Sequence, residues 1–418
     1  MVAAALCERR KVDYAVRTGT VNAGHTAYYK GRKFVMQQLP TGWVNESTRL
    51  VIGPGAYVNP YILLNEIRTL AEAKVFEKGP RIYIDERAGL HLPEHTERAG
   101  LSGRHYTIGA TGKGCSEAII DRIRLRGKGG QLFRQWFADN SQTGTDIEWM
   151  GGGIFFTDTV KLLNDAYDRG DQILLEGTQG TLLDLYLGPY PYTTHKQCTA
   201  SQWVTEAGLS PALDYEVVLV ARTYPIRVAG NSGPMPQEID WPTLAFEINE
   251  RMREKYYAAH GNHDGEWWLV DPKAVDEFAT IKNSFPLTRY ASPEVWLSES
   301  NRDAWNQCTP GTRAELSKLF EFTTVTKKLR RIARLDIDSL KYSVMVNRPS
   351  WLCITFANYE FPDWWGATAT EHRPLYDYLR DIEQATGVPV RAFTTGPESH
   401  HFLERWSEVQ PLSSSTTA

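Results

Sequence analysis

Short apolar strands followed by polar loops and then by helices recur along this chain, and this order constrains the fold more than any other feature. Apolar runs at residues 14–18, 172–176, 216–221 and 351–356 each precede a loop rich in small polar residues. A repeated strand, loop and helix predicts an α/β fold around a mainly parallel sheet. Ligand sites in such folds lie at the carboxyl ends of the strands, so these loops are the candidate binding segments.

The composition excludes several classes of protein. The chain has 418 residues, 42% of them hydrophobic, and a formal net charge of −4, which gives no reason to expect a nucleic-acid partner. No apolar run reaches the roughly 18 residues that a membrane span requires. The five cysteines are scattered without a CxxC pair, so they predict reduced thiols and a cytoplasmic location.

The segment Asn-Ala-Gly-His-Thr at residues 22–26 follows the first predicted strand as a small-residue turn. Gly24 lets the backbone approach a ligand closely. His25 can donate a proton or a hydrogen bond near neutral pH. The segment is therefore a candidate ligand loop, with an ordinary polar turn as the alternative.

Three other segments carry candidate chemistry. The glycine-rich turn at 108–114 precedes a predicted helix at 116–125 and offers free N–H groups to an anion. It lacks the GxxxxGK[ST] spacing of a phosphate loop, and a plain turn explains the segment equally well. The run at 322–331 ends in two lysines and two arginines, which suit an acidic small substrate or, alternatively, a solvated strand end. Residues 260–264 contain two histidines and an aspartate, and without clustered ligands they predict a surface loop rather than a metal site.

Taken together, the loops resemble the adenylosuccinate synthetase family across nearly the whole chain. The matching segments, in the order of the family, are residues 22–26, 39–42, 111–114, 176–180, 190–194, 323–326 with 330–331, and 395–397. The resemblance implies a P-loop-like α/β fold with helical excursions. It predicts one large domain at residues 1–412, with an inserted excursion at 240–310 and a disordered tail at 413–418.

The resemblance also implies an activity. The family joins L-aspartate to C6 of a purine monophosphate, converting IMP to adenylosuccinate, while a nucleoside triphosphate is cleaved. The γ-phosphoryl group first activates the purine O6, and the aspartate amine then displaces phosphate. This chemistry needs a base for N1–H, an acid or electrostatic partner at O6 and Mg²⁺ on the phosphates. The resemblance further implies a homodimer whose ligands are small molecules.

The resemblance assigns roles to individual residues. The catalytic residue is His25, which stabilises the phosphates and the charge developing at O6, and the carbonyl of Gly24 binds Mg²⁺. The residues that hold the purine monophosphate are Asn22, Thr111, Gln179 and Thr194, with Arg124 or Arg126 contributed across the dimer. The residues that grip the aspartate carboxylates are Thr326, Lys328 and Arg330. The residues that bind the nucleoside triphosphate are Asn358, Thr394 and Gly396.

The sequence departs from the common family pattern in the loop for the donor base. The family reads the guanine of GTP with a Lys-x-Asp pair, whereas residues 356–359 here are Phe-Ala-Asn-Tyr and offer no aspartate to the guanine N1 and N2 protons. ATP or dATP therefore stands beside GTP as the donor. The runs at 221–228 and 356–359 resemble a phage-type branch, the 2-aminoadenylosuccinate synthetases, which join aspartate to dGMP. IMP and (d)GMP both stay open as the acceptor.

A second departure concerns the start of the family pattern. The family opens with a strand and a loop of the type Gly-Asp-Glu-Gly-Lys-Gly, which holds the triphosphate and supplies the acidic base. On typical strand and loop lengths, about 15–20 residues of this pattern would precede Met1. We expect a mis-assigned start codon, and we expect residues 1–418 to lack ligase activity with either IMP or dGMP. A non-catalytic nucleotide-binding paralogue is the second functional class, while the absence of GxGxxG after a strand disfavours a dehydrogenase-like protein.

Overall fold

A computed structural model describes residues 1–76, 81–126, 132–141, 153–261, 268–289, 293–323, 327–368 and 372–405. These residues group into two compact units. The first unit contains Met1–His105, Thr111–Tyr215 and Pro397–His400, and the second contains Tyr106–Ala110, Glu216–Gly396 and the described residues from His401 onward. The division into one domain with an excursion at 240–310 stays a prediction, and the predicted tail at 413–418 lies outside the described residues.

The described residues contain both strands and helices. The strands are β1 (Tyr14–Arg17), β2 (His25–Tyr29), β3 (Arg32–Met36), β4 (Arg49–Ile52), β5 (Tyr57–Val58), β6 (Ile82–Asp85), β7 (Gly89–Leu90), β8 (Ile154–Thr157), β9 (Ile173–Leu175), β10 (Val218–Arg222), β11 (Ile226–Arg227), β12 (Glu238–Ile239), β13 (Arg331–Ala333), β14 (Trp351–Thr355), β15 (Val390–Thr394) and β16 (Phe402–Glu404). The helices are α1 (Val2–Arg9), α2 (Pro60–Glu72), α3 (Pro93–Leu101), α4 (Arg104–Thr107), α5 (Cys115–Leu125), α6 (Phe133–Ser141), α7 (Thr159–Asp168), α8 (Ala200–Glu206), α9 (Trp241–His260), α10 (Pro272–Asn283), α11 (Pro293–Gln307), α12 (Pro310–Leu316), α13 (Ile337–Asn347), α14 (Ala357–Glu360) and α15 (Arg373–Thr386).

The first unit is built on a five-stranded sheet in the order β8-β6-β4-β1-β9, and every neighbouring pair is parallel. Successive residues of β1 pack into different clusters, because side chains alternate between the two faces of a strand: Ala15 belongs to one core cluster and Val16 to another. The predicted α/β fold around a mainly parallel sheet is confirmed. The apolar run at 172–176 predicts a buried strand, but β9 lies at the edge of the sheet and its residues are only half-buried.

The sequence predicts the start of helix α2, with Asn59 as its N-cap and Pro60 at its first position, and the structure confirms it. The side chain of Asn59 accepts a hydrogen bond from the backbone N–H of Ile62 at 3.0 Å, and Pro60 occupies the first turn. Leu63, Ile67 and Leu70 recur at helical spacing and are buried in the core of the first unit. This packing fixes α2 beside the sheet.

The second unit has its own sheet, in the order β10-β14-β15-β16. The β10–β14 and β14–β15 pairs are parallel, while β16 runs antiparallel to β15. Of residues 240–310, those that the structure describes are mostly helical. The sequence pattern predicts helices at 243–256 and 312–320. Helix α9 begins two residues earlier than predicted, α12 spans Pro310–Leu316, and α10 and α11 were not predicted. The buried side chains of Trp241 and Phe278 join the helices in one apolar cluster.

All five cysteines are free and buried, which confirms the prediction of unpaired thiols. Burial raises the pKa of Cys7 to about 12 and that of Cys198 also to about 12. In the part of the chain that the structure describes, no helix combines the length and the apolar character that crossing a membrane requires.

Candidate active site

The loop between β1 and β2 carries the segment that the sequence singled out. The turn is shorter than predicted, because His25 and Thr26 already belong to β2 and pair with Met36 and Val35 of β3. Ala27 and Phe34 face each other in this hairpin and are buried in the core, which fixes its register. His25 is therefore held by a strand rather than by a free loop.

His25 is held by Glu176, which follows β9 directly. The Nδ1 atom of His25 hydrogen-bonds to Oε1 of Glu176, while Oε2 accepts bonds from the backbone N–H of Thr41 at 2.6 Å and from its hydroxyl at 3.0 Å. Because β1 and β9 are neighbouring parallel strands, their carboxyl ends bring the two side chains to the same edge of the sheet. Both oxygens of the carboxylate are thus occupied by donors that fix the imidazole.

The charges around this pair have opposing effects on its two members. Burial alone would raise the pKa of Glu176, but when His25 carries a second proton its charge and hydrogen bond, with the charge of Arg17, outweigh burial and lower that pKa to about 2. Burial, reinforced by Arg17, lowers the pKa of His25 although Glu176 opposes the shift. His25 is accordingly a neutral imidazole that donates from Nδ1 to an ionised Glu176, which leaves the lone pair of Nε2 available.

Arg17 is the last residue of β1, and its side chain hydrogen-bonds to the loop between β1 and β2. Its side chain is 1% exposed, and its Nη2 donates to the carbonyl of Ala23 at 2.9 Å. Its Nε and Nη1 atoms are buried and have no hydrogen-bond partner. Burial lowers the pKa of this guanidinium, and the charges of Glu176 and Glu66 oppose that shift. Arg17 was missed by the sequence analysis, although its position at the end of a predicted strand was a signal.

Two of the residues predicted to hold the monophosphate are joined by hydrogen bonds. Thr194 Oγ1 lies 3.2 Å from Nδ1 of His195, and Nε2 of His195 lies 3.3 Å from Thr20, which donates to Oδ1 of Asn22 at 2.7 Å. The loop after β9 places Gln179 beyond Glu176 with a φ of 67°. Within the described residues no side-chain hydrogen bond links Thr111 to this group.

The two arginines predicted to act across a dimer lie at the end of α5. Arg124 and Arg126 are both exposed, and Nε of Arg126 donates to the carbonyl of Ile123 at 3.3 Å. A guanidinium that acts in the site of a partner subunit has to be exposed on its own chain, and both of these arginines are exposed. Their role stays a prediction.

A buried lysine beside the loop was missed by the sequence analysis. Lys196 donates to Glu206 at 2.5 Å and to the carbonyl of Thr18 at 3.2 Å, and its ammonium lies 4.5 Å from the centroid of the Trp203 ring. Its charge is therefore neutralised by Glu206 and supported by the face of an aromatic ring. His195 was overlooked in the same way, because it lies one residue beyond the 190–194 segment.

In the second unit, the residues predicted to grip aspartate differ in burial. Lys328 is exposed, and its backbone N–H donates to the hydroxyl of Thr323 at 2.8 Å. Arg330 is half-buried and donates from Nε to the carbonyl of Phe322 at 3.1 Å. Burial lowers the pKa of Arg330, against the opposing charge of Glu321. The third predicted residue, Thr326, lies outside the described residues.

The residues predicted to bind the triphosphate follow two neighbouring strands. Asn358 follows β14, while Thr394 ends β15 and Gly396 comes just after it, so that all three lie at the carboxyl edge of the second sheet. The hydroxyl of Thr394 accepts a hydrogen bond from the backbone N–H of Phe356 at 3.1 Å. Thr394 is only 1% exposed. Gly396 has no room for a side chain, because a Cβ there would lie 2.4 Å from Nδ1 of His401.

The same edge holds a cation stacked on an aromatic ring. The guanidinium of Arg222 lies 3.6 Å from the centroid of Phe356, whose φ of 61° is left-handed. Arg222 also pairs with Glu321, which accepts the hydroxyl of Tyr359 at 3.0 Å. The sequence analysis missed Arg222 and Glu321, which no local spacing relates to the 356–359 loop.

Comparison with known proteins identifies the class of protein. The family model for adenylosuccinate synthetase matches residues 4–143 and 152–359, and the chain therefore belongs to the adenylosuccinate synthetase family. It is a nucleotide-binding ligase of purine biosynthesis. The family and the ligase activity predicted from the sequence are both confirmed.

Relatives from archaea cover most of the chain. The adenylosuccinate synthetase of Thermococcus onnurineus is 29% identical over 387 residues, which span 92% of this chain and 87% of that protein. The enzyme of Methanocaldococcus jannaschii is 28% identical over 411 residues, which span 97% of this chain and 92% of that protein.

Solved structures share the fold. The cyanophage S-2L succinoaminodeoxyadenylate synthetase (PurZ), bound to dGMP and to dATP as an energy donor, has a TM-score of 0.64 and 23% identity, covering 96% of this chain and 90% of its own. The fully ligated adenylosuccinate synthetase of Plasmodium falciparum has a TM-score of 0.64 and 17% identity, covering 97% of this chain and 96% of its own. Both match the α/β architecture described above.

Proposed function

We propose that this ligase joins L-aspartate to C6 of a purine nucleoside monophosphate, with IMP as the acceptor and adenylosuccinate as the product. The observation that carries the proposal is the His25–Glu176–Thr41 arrangement at the carboxyl edge of the first sheet. A neutral imidazole held by a saturated carboxylate is fixed in orientation before any ligand binds. Such preorganisation is what stabilisation of a developing charge requires.

His25 acts at the oxygen that becomes activated. Its Nδ1–H is used by Glu176, so Nε2 is the nitrogen left for the substrate. Nε2 takes up a proton from water, and the imidazolium donates a hydrogen bond to the charge developing at O6 before the proton returns to water. The carboxylate of Glu176 stabilises the imidazolium formed in between, because the two groups are in direct contact. Asn22, Thr111, Gln179 and Thr194 hold the monophosphate around this centre, and Arg124 or Arg126 reaches it from the partner of a cytoplasmic homodimer.

Magnesium fits this site as a phosphate-bound ion rather than as an ion caged by protein. Among the described residues there is no group of three or more His, Cys, Asp or Glu side chains that could hold a metal. Mg²⁺ keeps several waters and binds substrate phosphates with few protein ligands, so the carbonyl of Gly24 suffices as the ligand from this part of the chain. When bound, Mg²⁺ neutralises charge on the phosphates.

The donor base and the aspartate are held by the second unit. Lys328 and Arg330, with Thr326, bind the aspartate carboxylates, the lysine as a point charge and the arginine as a fork. Asn358, Thr394 and Gly396 bind the nucleoside triphosphate. Because Asn358 offers an amide where guanine needs a carboxylate, the donor is ATP or dATP rather than GTP.

A second candidate acceptor is dGMP. Residues 356–359, which replace the Lys-x-Asp pair, resemble the phage-type branch that joins aspartate to dGMP. The two acceptors differ in the amino group on C2 of the purine. The test of the proposal must therefore include both.

The experiment measures binding and turnover separately. Calorimetry on residues 1–418 with IMP, dGMP and AMP should give binding of IMP or dGMP and at least about tenfold weaker binding of AMP, because AMP has an amine in place of O6. Phosphate release with aspartate and ATP, dATP or GTP is followed in parallel, with IMP and with dGMP as the acceptor. Equal binding of all three monophosphates would overturn the proposal.

A further inference from the structure

The imidazole of His195 joins the two monophosphate residues of the first unit in one chain of hydrogen bonds. The chain runs from the hydroxyl of Thr194 to Nδ1 of His195 at 3.2 Å, and from Nε2 to the hydroxyl of Thr20 at 3.3 Å. It ends where Thr20 donates to Oδ1 of Asn22 at 2.7 Å. Two residues far apart in sequence are thereby connected through one ring.

The ring is held in place by anchors on both sides. The backbone N–H of Thr194 donates to the carbonyl of Leu183 at 2.7 Å. On the other side, Lys196 is fixed by Glu206 and by the carbonyl of Thr18, and Thr20 is 2% exposed. The imidazole is therefore not free to leave the chain of hydrogen bonds.

The chain has a definite proton order, because each hydroxyl has one proton to donate. Burial, with the charges of Lys196 and His91, lowers the pKa of His195 to about 3, so the ring is neutral and has one donor and one acceptor. Since Thr20 donates to Asn22, its oxygen can only accept from His195, and Nε2 carries the proton. Nδ1 is then the acceptor and takes the proton of the Thr194 hydroxyl.

This order of donors and acceptors leaves Thr194 without a proton to donate to an anion. A phosphate group accepts hydrogen bonds, but the hydroxyl proton of Thr194 is already used by His195. The reversed order frees it: Thr194 donates to the phosphate, Nδ1–H donates to Thr194, Thr20 donates to Nε2, and the amide of Asn22 turns to donate to Thr20. The ring loses one proton from Nε2 and gains one at Nδ1 by exchange with water, so its charge does not change.

We propose that His195 is a positioning residue whose tautomer sets the donor direction of Thr194 and Asn22, and that it changes from the Nε2–H to the Nδ1–H form when the monophosphate binds. The inference rests on the proposed function, because it takes these two residues as the monophosphate site. It adds His195 to that site and couples Asn22 to Thr194, so that both side chains change their hydrogen-bond direction together when the monophosphate binds. A purely structural imidazole would keep one tautomer throughout.

Nitrogen NMR of the full chain with isotope-labelled histidine tests the tautomer directly. The signals of His195 are assigned by their loss in His195→Gln, and the chain is then titrated with IMP, with dGMP and with inorganic phosphate. We expect the protonated nitrogen to be Nε2 in the free chain and Nδ1 at saturation with the monophosphate. The same protonated nitrogen before and after saturation would overturn the inference.

Two variants test the coupling by affinity. His195→Phe keeps a ring but removes both hydrogen bonds, and we expect it to bind the monophosphate about tenfold more weakly, the loss of roughly one hydrogen bond. Thr20→Val breaks the chain one step further away and serves if His195→Phe fails to fold. His400→Phe, at an exposed histidine of the same unit, is the control and should bind as the wild type does.

The outcomes separate this inference from the function on which it rests. If wild-type chain binds neither IMP nor dGMP, the proposed function fails and this inference fails with it. If the monophosphate binds but the tautomer stays and Thr20→Val binds normally, only the role of His195 fails. A lower melting temperature in the variants with unchanged affinity would show a structural role alone.

Discussion

The carboxyl edges of the two sheets are built on opposite charges. At the first, the buried carboxylate of Glu176 is the centre, and His25 and Thr41 donate to it. At the second, the guanidinium of Arg222 is the centre, stacked on Phe356 and paired with Glu321. One edge fixes its groups with directional hydrogen bonds, while the other holds an aromatic ring by a contact with less directional character.

This difference bears on what each edge can do. A carboxylate whose acceptor positions are filled defines one position and one tautomer for the imidazole that it holds, which suits a group that handles a proton. A cation against a ring face fixes orientation less strictly, which suits a site that binds a ligand rather than one that transfers a proton. The contrast agrees with a chemical role for the first edge and a binding role for the second.

The largest test of the contrast is Glu176→Gln. The substitution keeps the shape of the side chain but removes the charge that faces the Nδ1–H of His25 and one of the two carboxylate charges that act on the buried Arg17. Removing one partner of a buried charged pair costs about 3–5 kcal/mol, and we expect a loss near the lower end in the free energy of unfolding, measured with denaturant. Glu72→Gln, at an exposed position of α2, is the control. A loss below about 1 kcal/mol, the size typical of surface pairs, would contradict the contrast.

The second test uses pH and the buried His91 of the first unit. Its Nε2 donates to the carbonyl of Lys113 at 2.6 Å, and burial lowers its pKa from 6.5 to about 4. As the pH falls below 6.5 the unfolded chain takes up this proton while the folded chain does not, so stability is lost down to about pH 4.

Between about pH 7 and pH 5 this single group should account for about 2 kcal/mol of that loss. Denaturation of His91→Gln at both pH values should therefore show a fall about 2 kcal/mol smaller than in the wild type, whatever its stability at pH 7. The exposed His400→Gln should keep the wild-type fall. Parallel behaviour of His91→Gln and wild type would mean that His91 is not buried as described.

The third test concerns the base that the second edge recognises. Asn358→Asp supplies the carboxylate that the guanine N1 and N2 protons require, and hydrogen bonds to a charged group are worth about 1.5–3 kcal/mol. We expect the ratio of GTP to ATP affinity, measured by calorimetry, to rise about tenfold or more. Asn283→Asp, at the exposed end of α10, should leave the ratio unchanged. An unchanged ratio in Asn358→Asp would remove Asn358 from the base site.

The smallest expected effect is that of Phe356→Leu. The substitution removes the ring under Arg222, and a cation–π contact at a partly exposed site is worth about 1 kcal/mol. A double-mutant cycle with Arg222→Met should return a coupling free energy of that size. A coupling free energy near zero would mean that the contact between Arg222 and Phe356 contributes nothing and that only the ion pair of Arg222 with Glu321 stabilises this edge.

The sequence was sufficient for the elements that depend on local pattern. The parallel strands, the Asn59 cap and the family segments all follow from residues close together in the chain. Glu176 was inside a recognised segment, but its contact with His25 crosses 151 residues and depends on β1 and β9 being neighbours. The hairpin at His25 was predicted as a turn because its pairing with β3 is decided by the burial of Ala27 and Phe34 in the core.

Contacts between distant segments account for the remaining misses. Arg222 and Glu321 are 99 residues apart in sequence, so the runs in which they lie or which they adjoin do not reveal their contact. The excursion at 240–310 looked irregular because its helices bury Trp and Phe side chains at uneven spacing. Such packing is decided in three dimensions rather than by a periodic pattern.

The burial of every cysteine has a practical consequence for labelling this enzyme. Alkylating reagents attack the exposed thiolate, and these five thiols are all buried. The native chain should therefore give a low background with a maleimide dye. A single cysteine placed at the exposed Tyr190, within the 190–194 loop, would then carry the dye and report, by its emission, when a ligand reaches that loop.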